Sequence, residues 1–181
     1  AEAFDVNFTN KEGKQEHVLA TSWGVSKRLI GGLIMTRSDD LCFVLPPKLA
    51  PIQVVIVPIY KSQEQLDTLS EKAMQLVKAF KSKGVSVKFD NRTTHKPGWK
   101  FAEYEMKGVP LRIALGPRDL ENGTLELARR DTLEKEVVAQ EAIEARVLEL
   151  LEEIQEQLFQ KAKAYRDDHI TKVDDFKTFQ E

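Results

Sequence analysis

Hydrophobic residues form short strand-like runs along much of the chain. The run at 53–59 is continuously apolar, which is typical of a strand that is buried on both faces. Residues 85–89 and 111–115 predict two further strands, and residues 124–130 and 133–139 are weaker candidates. Together these patterns predict a sheet of about five strands.

Apolar residues at three- and four-residue steps predict helices between and after these strands. The stripe at 66–80 is one face of an amphipathic helix, and Gly84 is a natural stop just beyond it. Residues 97–107 predict a short helix that ends at Gly108, and residues from about 140 to 169 predict a long one. Strands that alternate with helices indicate an α/β fold with a parallel or mixed sheet.

Three prolines at 46–51 separate this α/β part from a shorter N-terminal part. Proline fixes φ and disfavours a helical conformation in the residue before it, so this segment predicts a connector. Before it, residues 4–8 and 16–22 predict a hairpin, and apolar residues at 29–34 predict a helix. A hairpin plus one helix is marginally stable alone, so we expect this part to be the end of a larger domain.

Composition excludes several classes of protein. The 27 Lys and Arg residues nearly balance the 29 Asp and Glu residues, and a net charge of −2 excludes a strongly basic nucleic-acid protein but not a local basic site. The single cysteine, Cys42, excludes an internal disulfide and a cysteine-cluster metal site. No apolar run approaches the ~20 residues of a membrane span, and the first residues do not resemble a secretory signal, so we expect the cytoplasm.

The near-neutral total hides a separation of charge along the chain. Residues 92–119 contain six basic and three acidic residues, a net charge of +3. Residues 140–160 contain six Glu and one Arg, a net charge of −5. The first segment is therefore suited to a phosphate backbone, whereas the acidic face of the long helix is most simply solvated.

Five strings of residues stand in an order and spacing that resemble one family. They are TSWGVSKRLIG at 21–31, VLPPKLAPIQVVIVPI at 44–59, PGWKF at 97–101, EMKGVP at 105–110 and GPRDLE at 116–121. The first resembles the third signature motif of prolyl-tRNA synthetases, a class II aminoacyl-tRNA synthetase family. The others resemble the connector and the anticodon-binding domain of the same family.

The resemblance implies a fragment with a class II anticodon-binding domain. The implied fold is α/β, a mixed sheet of about five strands flanked by about three helices, preceded by a hairpin-plus-helix remnant of the catalytic domain. The implied divisions are a catalytic remnant at 1–46, the anticodon-binding domain at 47–170 and the start of a linker at 171–181. Because the first and second class II motifs are absent, we expect this chain alone to form no adenylate.

The third motif implies half of an ATP site. Its hydroxyl and arginine positions correspond to Ser26 and Arg28, and a guanidinium suits phosphate charge. The complete enzyme would use ATP with Mg²⁺, and we expect neither to bind this fragment. Relatives usually carry a His and a Gly in the turn that follows; residues 36–43 lack both, which leaves the geometry of this turn open.

The anticodon readers of the family correspond to Glu105, Arg112, Arg118 and Asp119. Anticodons for proline end in two guanines, whose N1–H and N2–H₂ groups suit a carboxylate and whose O6 and N7 suit Arg or Lys. Arg118 stands where relatives commonly have Lys. Each residue alone has a simpler explanation, since Glu105 and Arg112 can face solvent and Asp119 can cap backbone amides.

Other features leave alternatives open. Trp99 and Phe101 can stack on a base, although core packing is the favoured interpretation. The three histidines, His17, His95 and His169, show no ligand spacing, and no metal site is expected.

The expected partners are the anticodon loop of a proline tRNA, the missing catalytic domain and a second subunit of a homodimeric parent, with no membrane or DNA. The alternatives are the anticodon domain of a threonyl, glycyl or histidyl synthetase, or a non-catalytic interaction module of the same fold.

Overall fold

The computed structural model describes residues 1–180, which fall into two units. The first unit is Ala1–Gly32. It contains a 3₁₀ turn at Glu2–Phe4 and an antiparallel hairpin of β1 (Asn7–Thr9) and β2 (Gln15–His17). Helix α1 (Arg28–Thr36) begins in this unit. The predicted N-terminal hairpin and helix are present, with shorter strands than the pattern suggested.

The second unit begins at Leu33 and contains the main sheet. A small antiparallel hairpin comes first, formed by β3 (Ser38–Asp39) and β4 (Cys42–Phe43). The sheet strands are β5 (Val54–Pro58), β6 (Val87–Phe89), β7 (Leu111–Leu115), β8 (Thr124–Arg129) and β9 (Lys135–Ala139), in the spatial order β6-β5-β7-β8-β9. Strands β6, β5 and β7 are parallel, and β8 and β9 are antiparallel to their neighbours. The predicted mixed five-stranded sheet is therefore confirmed.

Helices cover the two faces of this sheet unequally. The helices of the second unit are α2 (Gln63–Ser82), α3 (Pro97–Met106), α4 (Pro117–Asn122), α5 (Ile143–Asp168) and α6 (Phe176–Gln180). Helices α2 and α5 supply the larger core on one face, and α3 packs against Val55 and Val57 on the other. Helix α6 lies in the predicted linker at 171–181, whose last residue lies outside the described residues.

The face that carries α3 is open beyond β7. Alternation along the antiparallel strands places Arg112, Glu126 and Val137 on this face, because paired residues share a side. Val137 is 71% exposed, and Lys135 on the same face is also exposed. Helix α3 therefore leaves a surface of polar and apolar groups uncovered on β8 and β9.

The turn that the sequence left open forms the β3–β4 hairpin. Cys42 occupies it with φ +100°, a left-handed conformation that is strained for a residue with a Cβ. The hairpin packs closely on the end of α3, since a Cβ added to Gly108 would lie 2.7 Å from the Cβ of Phe43. Gly108 itself has φ +68°, so this contact requires glycine.

Substituting glycine for Cys42 is expected to stabilise the protein. Cys42→Gly removes strain of about 1–3 kcal/mol, which exceeds the about 0.5–1 kcal/mol of extra backbone entropy that glycine gives the unfolded chain. Urea denaturation measures the free energy of unfolding. Cys42→Ser is the control, because it keeps the Cβ and should leave stability unchanged. A Gly variant no more stable than the Ser variant would show that this turn is not strained.

Candidate nucleic-acid interface

Arg112 is a buried cation with an unused donor. It is the second residue of β7, is only 7% exposed, and its guanidinium carbon lies 3.7 Å from the ring centroid of Phe101 on α3. Its Nη1 is 3.6 Å from Glu126 Oε1, beyond hydrogen-bond range. Within residues 1–180, this Nη1 is the one buried side-chain polar atom without a hydrogen bond. The alternative in which Arg112 faces solvent is wrong, because α3 covers this part of the strand.

Glu105 lies beside this arginine. Phe101 and Glu105 are four residues apart on α3 and so lie on the same side of that helix. Glu105, Arg112 and Tyr104 line a cavity of about 20 Å³, room for about one water molecule. Burial lowers the pKa of the Arg112 guanidinium, whereas the charges of Glu126 and Glu105 oppose that shift. An arginine remains charged in proteins, so the pocket presents a cation next to an acceptor.

The β3–β4 hairpin holds the end of α3 that carries Glu105. Arg130 makes a forked contact with Asp39, at 2.7 Å from Nη1 and 2.6 Å from Nη2. The Nε of Arg130 donates to the backbone carbonyl of Glu105 at 2.9 Å. The hydrogen bond from Arg130 lowers the pKa of Asp39. Through this arginine the hairpin fixes the backbone at the pocket.

Arg118 and Asp119 lie at a second place, beyond the carboxyl end of β7. They belong to the six-residue helix α4. Asp119 Oδ2 accepts a hydrogen bond of 2.8 Å from the Gly116 amide, so the capping interpretation holds for the free protein. Both residues line a cavity of about 630 Å³ together with Tyr60 and Lys61.

This second cavity occupies the position where open α/β sheets commonly bind ligands. The chain leaves β5 through α2 on one face and enters β7 from α3 on the other, while β5 and β7 are parallel neighbours. The crevice outside the carboxyl ends of two such strands is a topological switch point. Its place in the fold and its side chains therefore make this cavity a candidate binding site.

The predicted site residues thus separate into three places. Glu105 and Arg112 share one cavity, and Arg118 and Asp119 share another. Ser26 and Arg28 are exposed in the first unit, just before and at the start of α1.

Sequence reasoning missed a carboxylate that lies near Arg112. Glu126 was not singled out, although its place in the alternating strand β8 puts it on the face of Arg112. The core interpretation is wrong for Trp99, which is 47% exposed. It holds for Phe101, which packs against the small core cluster that contains Val55 and Tyr104. The period of a helix indicates this difference in the sequence, because residues two apart, such as Trp99 and Phe101, lie on different sides of α3.

A buried ionic network fixes α3 to the sheet. Asp90 follows β6 and accepts hydrogen bonds from Arg92 Nε at 2.9 Å, from Arg92 Nη2 at 2.6 Å and from the Tyr104 hydroxyl at 3.1 Å. Lys100, only 1% exposed, donates to the Asp90 backbone carbonyl at 2.9 Å, and its Nζ lies 3.6 Å from Asp90 Oδ1. Arg92 also bonds Glu103 on α3. Four contacts therefore join the end of β6 to this helix.

The network perturbs the titration of its members. Burial alone would raise the pKa of Asp90, but the hydrogen bonds from Arg92 outweigh it and hold that pKa well below its usual range. Burial, together with the Asp90 charge, raises the pKa of Tyr104 to about 12. The network therefore depends on a charged Asp90.

Residues 1–180 contain neither a cluster of metal ligands nor a membrane-spanning helix. No group of three or more His, Cys, Asp or Glu side chains is placed to hold a metal ion. In the same range, no helix combines the length and apolarity that crossing a membrane requires.

Comparison with known proteins identifies the family. Residues 53–169 match a family model described as an anticodon binding domain. The chain belongs to this family. The match includes α3, β7 and α4, so both cavities lie within the anticodon-binding domain.

Whole-chain relatives extend the likeness to the N-terminal residues. The chain is 65% identical over 179 residues to a proline–tRNA ligase of Christiangramia forsetii, covering 99% of this chain and 36% of that protein. It is 63% identical to the proline–tRNA ligase of Flavobacterium psychrophilum, with the same coverage. The crystal structure of a prolyl-tRNA synthetase from Cryptosporidium parvum, complexed with L-proline and AMP, matches with a TM-score of 0.76 at 39% identity, covering 97% of this chain and 38% of that one. The resemblance to prolyl-tRNA synthetases is confirmed, and the chain spans a little over a third of the length of these relatives.

Removing the charge of Asp90 is expected to destabilise the domain strongly. Asp90→Asn leaves Lys100 as a buried cation without its counter-ion, at a cost of about 3–5 kcal/mol. Asp90 has a lowered pKa in the folded state, so its contribution is complete above its unfolded pKa of about 4 and is lost as pH falls through the folded value.

Urea denaturation at several pH values checks this expectation. The stability difference between the native protein and Asp90→Asn should be constant above about pH 5 and should shrink at lower pH. Glu71→Gln, an exposed carboxylate on α2, is the control and should change stability little. A constant difference down to pH 2 would contradict the assignment of a charged Asp90.

Proposed function

We propose that this chain is the anticodon-binding part of a prolyl-tRNA synthetase and reads the two guanines that proline anticodons share. The observation that carries the proposal is the buried, charged Arg112 whose Nη1 lacks a hydrogen bond while Glu105 lies in the same cavity. A buried donor without a partner is costly unless water or a ligand satisfies it, and because the cavity has room for about one water molecule, a guanine must widen it to reach this donor. The relatives at 65% and 63% identity, both named proline–tRNA ligases, support the choice of tRNA.

The chemistry of guanine fits the two groups. Arg112 can donate to O6 or N7, and the Glu105 carboxylate can accept from N1–H and N2–H₂. The Phe101 ring lies against the guanidinium and fixes its plane. A planar donor fork held in one orientation discriminates between acceptor patterns better than a mobile point charge does.

The second cavity would receive the other guanine. Arg118 supplies donors there, and the Asp119 carboxylate supplies acceptors at the entrance of the crevice. Asp119 uses one oxygen to cap the Gly116 amide, which leaves its other oxygen for a base. The two pairs lie near opposite ends of β7, so each would meet a different base of an unpaired loop.

The remaining assignments complete this proposal. In the complete enzyme, Ser26 and Arg28 would contact ATP, which activates proline with Mg²⁺ before transfer to the tRNA. Residues 1–46 would be the end of the catalytic domain, residues 47–170 the anticodon-binding domain, and residues 171–181 the start of a linker. We place the enzyme in the cytoplasm as a homodimer, and this chain alone would form no adenylate.

Binding of anticodon stem-loops tests the role of Arg112. At one fixed salt concentration, the native chain should bind a proline stem-loop more tightly than the same loop with its two anticodon guanines replaced. Arg112→Lys should lose about 1–3 kcal/mol of that preference, because a point charge cannot replace the fork. Arg146→Lys on α5 makes the same change away from α3 and should keep the preference. Equal binding of both loops by the native chain would contradict the proposed function.

Two substitutions separate the capping role of Asp119 from a reading role. The amide oxygen of asparagine can also accept the hydrogen bond from the Gly116 amide, so Asp119→Asn should keep stability but lose selectivity for the guanine loop. Asp119→Ala removes this hydrogen bond and should lose both, with about 1 kcal/mol of stability. Fluorescence titration and urea denaturation measure the two effects. Equal weakening for both loops would show that Asp119 only shapes the backbone.

A further inference from the structure

An exposed aromatic stack lies outside both guanine cavities. The rings of His95 and Trp99 are stacked, with centroids 3.8 Å apart and an interplanar angle of 24°. Trp99 nevertheless remains 47% exposed, although an indole is among the largest apolar groups that a protein can bury. Neither residue contributes to the sheet core. Packing therefore does not account for the position of these rings.

Neighbouring side chains hold the stack in a fixed orientation. The Arg92 guanidinium lies 5.6 Å from the Trp99 ring centroid, and the same guanidinium is bound by Asp90 and Glu103. The hydroxyl of Thr94 and Nδ1 of His95 form a hydrogen bond of 2.8 Å. The rings are therefore oriented before any ligand arrives, which lowers the entropy cost of stacking on them.

The charge around the stack suits a polyanion. Lys96 immediately precedes α3 and is exposed, and Arg92 is partly exposed. The two neighbouring acids are neutralised, since Asp90 is buried against Arg92 and Lys100, and Glu103 is bonded to Arg92 and Lys107. The cations here, Arg92, Lys96, Lys100 and Lys107, outnumber the two acids, and an exposed aromatic surface beside an excess of positive charge is the combination that binds single-stranded nucleic acid.

The stack is separate from the pocket of Arg112. Trp99 and Phe101 are two residues apart on α3, which separates their side chains by about 200° around the helix axis. Trp99 lies on the side of Arg92, next to β6, whereas Phe101 and Glu105 lie on the side of β7. A base that stacks on Trp99 therefore cannot be the base that Arg112 reads.

We propose that His95 and Trp99 form a stacking platform for an additional unpaired nucleobase of the bound RNA, one that is not read for its identity. The inference rests on the proposed function, because it takes the ligand to be a tRNA loop. The platform supplies affinity without discrimination, since every base has a π face. The proposal therefore predicts that Trp99 contributes to the binding of both loops alike, whereas Arg112 contributes to the preference for the guanine loop.

Tryptophan fluorescence tests the platform directly. The chain has two tryptophans, and Trp23 is 95% exposed in the first unit, so Trp23→Phe leaves Trp99 as the sole indole. Titration of this variant with the proline stem-loop should quench the Trp99 emission. In the native background, Trp99→Ala should weaken binding about tenfold for the guanine loop and for the replaced loop alike. Trp99→Phe, which keeps a ring, should recover part of that loss.

The outcomes distinguish this inference from the proposed function. Guanine-selective binding with unchanged Trp99 emission, or with no effect of Trp99→Ala, would overturn the platform and leave the function standing. Equal binding of both loops with quenching would overturn guanine reading and leave the platform standing. If neither the loops nor an unstructured ribo-oligonucleotide quench Trp99, the platform is wrong.

Discussion

The buried ionic network around Asp90 determines where α3 lies on the sheet. Asp90 joins the end of β6 to Lys100 and Tyr104 in the middle of the helix. From that fixed position, opposite sides of α3 present Phe101 and Glu105 toward β7 and Trp99 toward solvent. The arrangement of every group proposed to meet RNA on this face depends on the network.

The arginines of the second unit differ in how fully they are paired. Arg92, Arg129, Arg130 and Arg146 each bind a carboxylate at hydrogen-bond distance. Arg112 is buried like Arg130 but lacks such a bond, because Glu126 stands 3.6 Å away and also faces Lys135 at the same distance. Paired arginines stabilise the fold, whereas a desolvated cation with a free donor is suited to a ligand.

Local pattern predicted the fold where elements are long. The continuous apolar run of β5, the shorter strand patterns of β6 to β9 and the apolar stripes of α2 and α5 predicted the five-stranded sheet, which the structure confirms. The β3–β4 hairpin has two-residue strands and α4 has six residues, which are too short for periodicity to detect. Burial of Arg112 could not be predicted, since it depends on which strands α3 covers. The exposure of Trp99 depends on the same packing, although the helical period already indicates that Trp99 and Phe101 lie on different sides of α3.

The central claim is that a guanine accepts a hydrogen bond from the free donor of Arg112. ¹⁵N NMR of the arginine guanidinium groups reports this contact atom by atom, with Arg112→Lys supplying the assignment. Addition of the proline stem-loop should shift the Arg112 Nη signals and slow their hydrogen exchange, and the loop without anticodon guanines should not. Arg112 signals that respond equally to both loops, or to neither, would contradict the account.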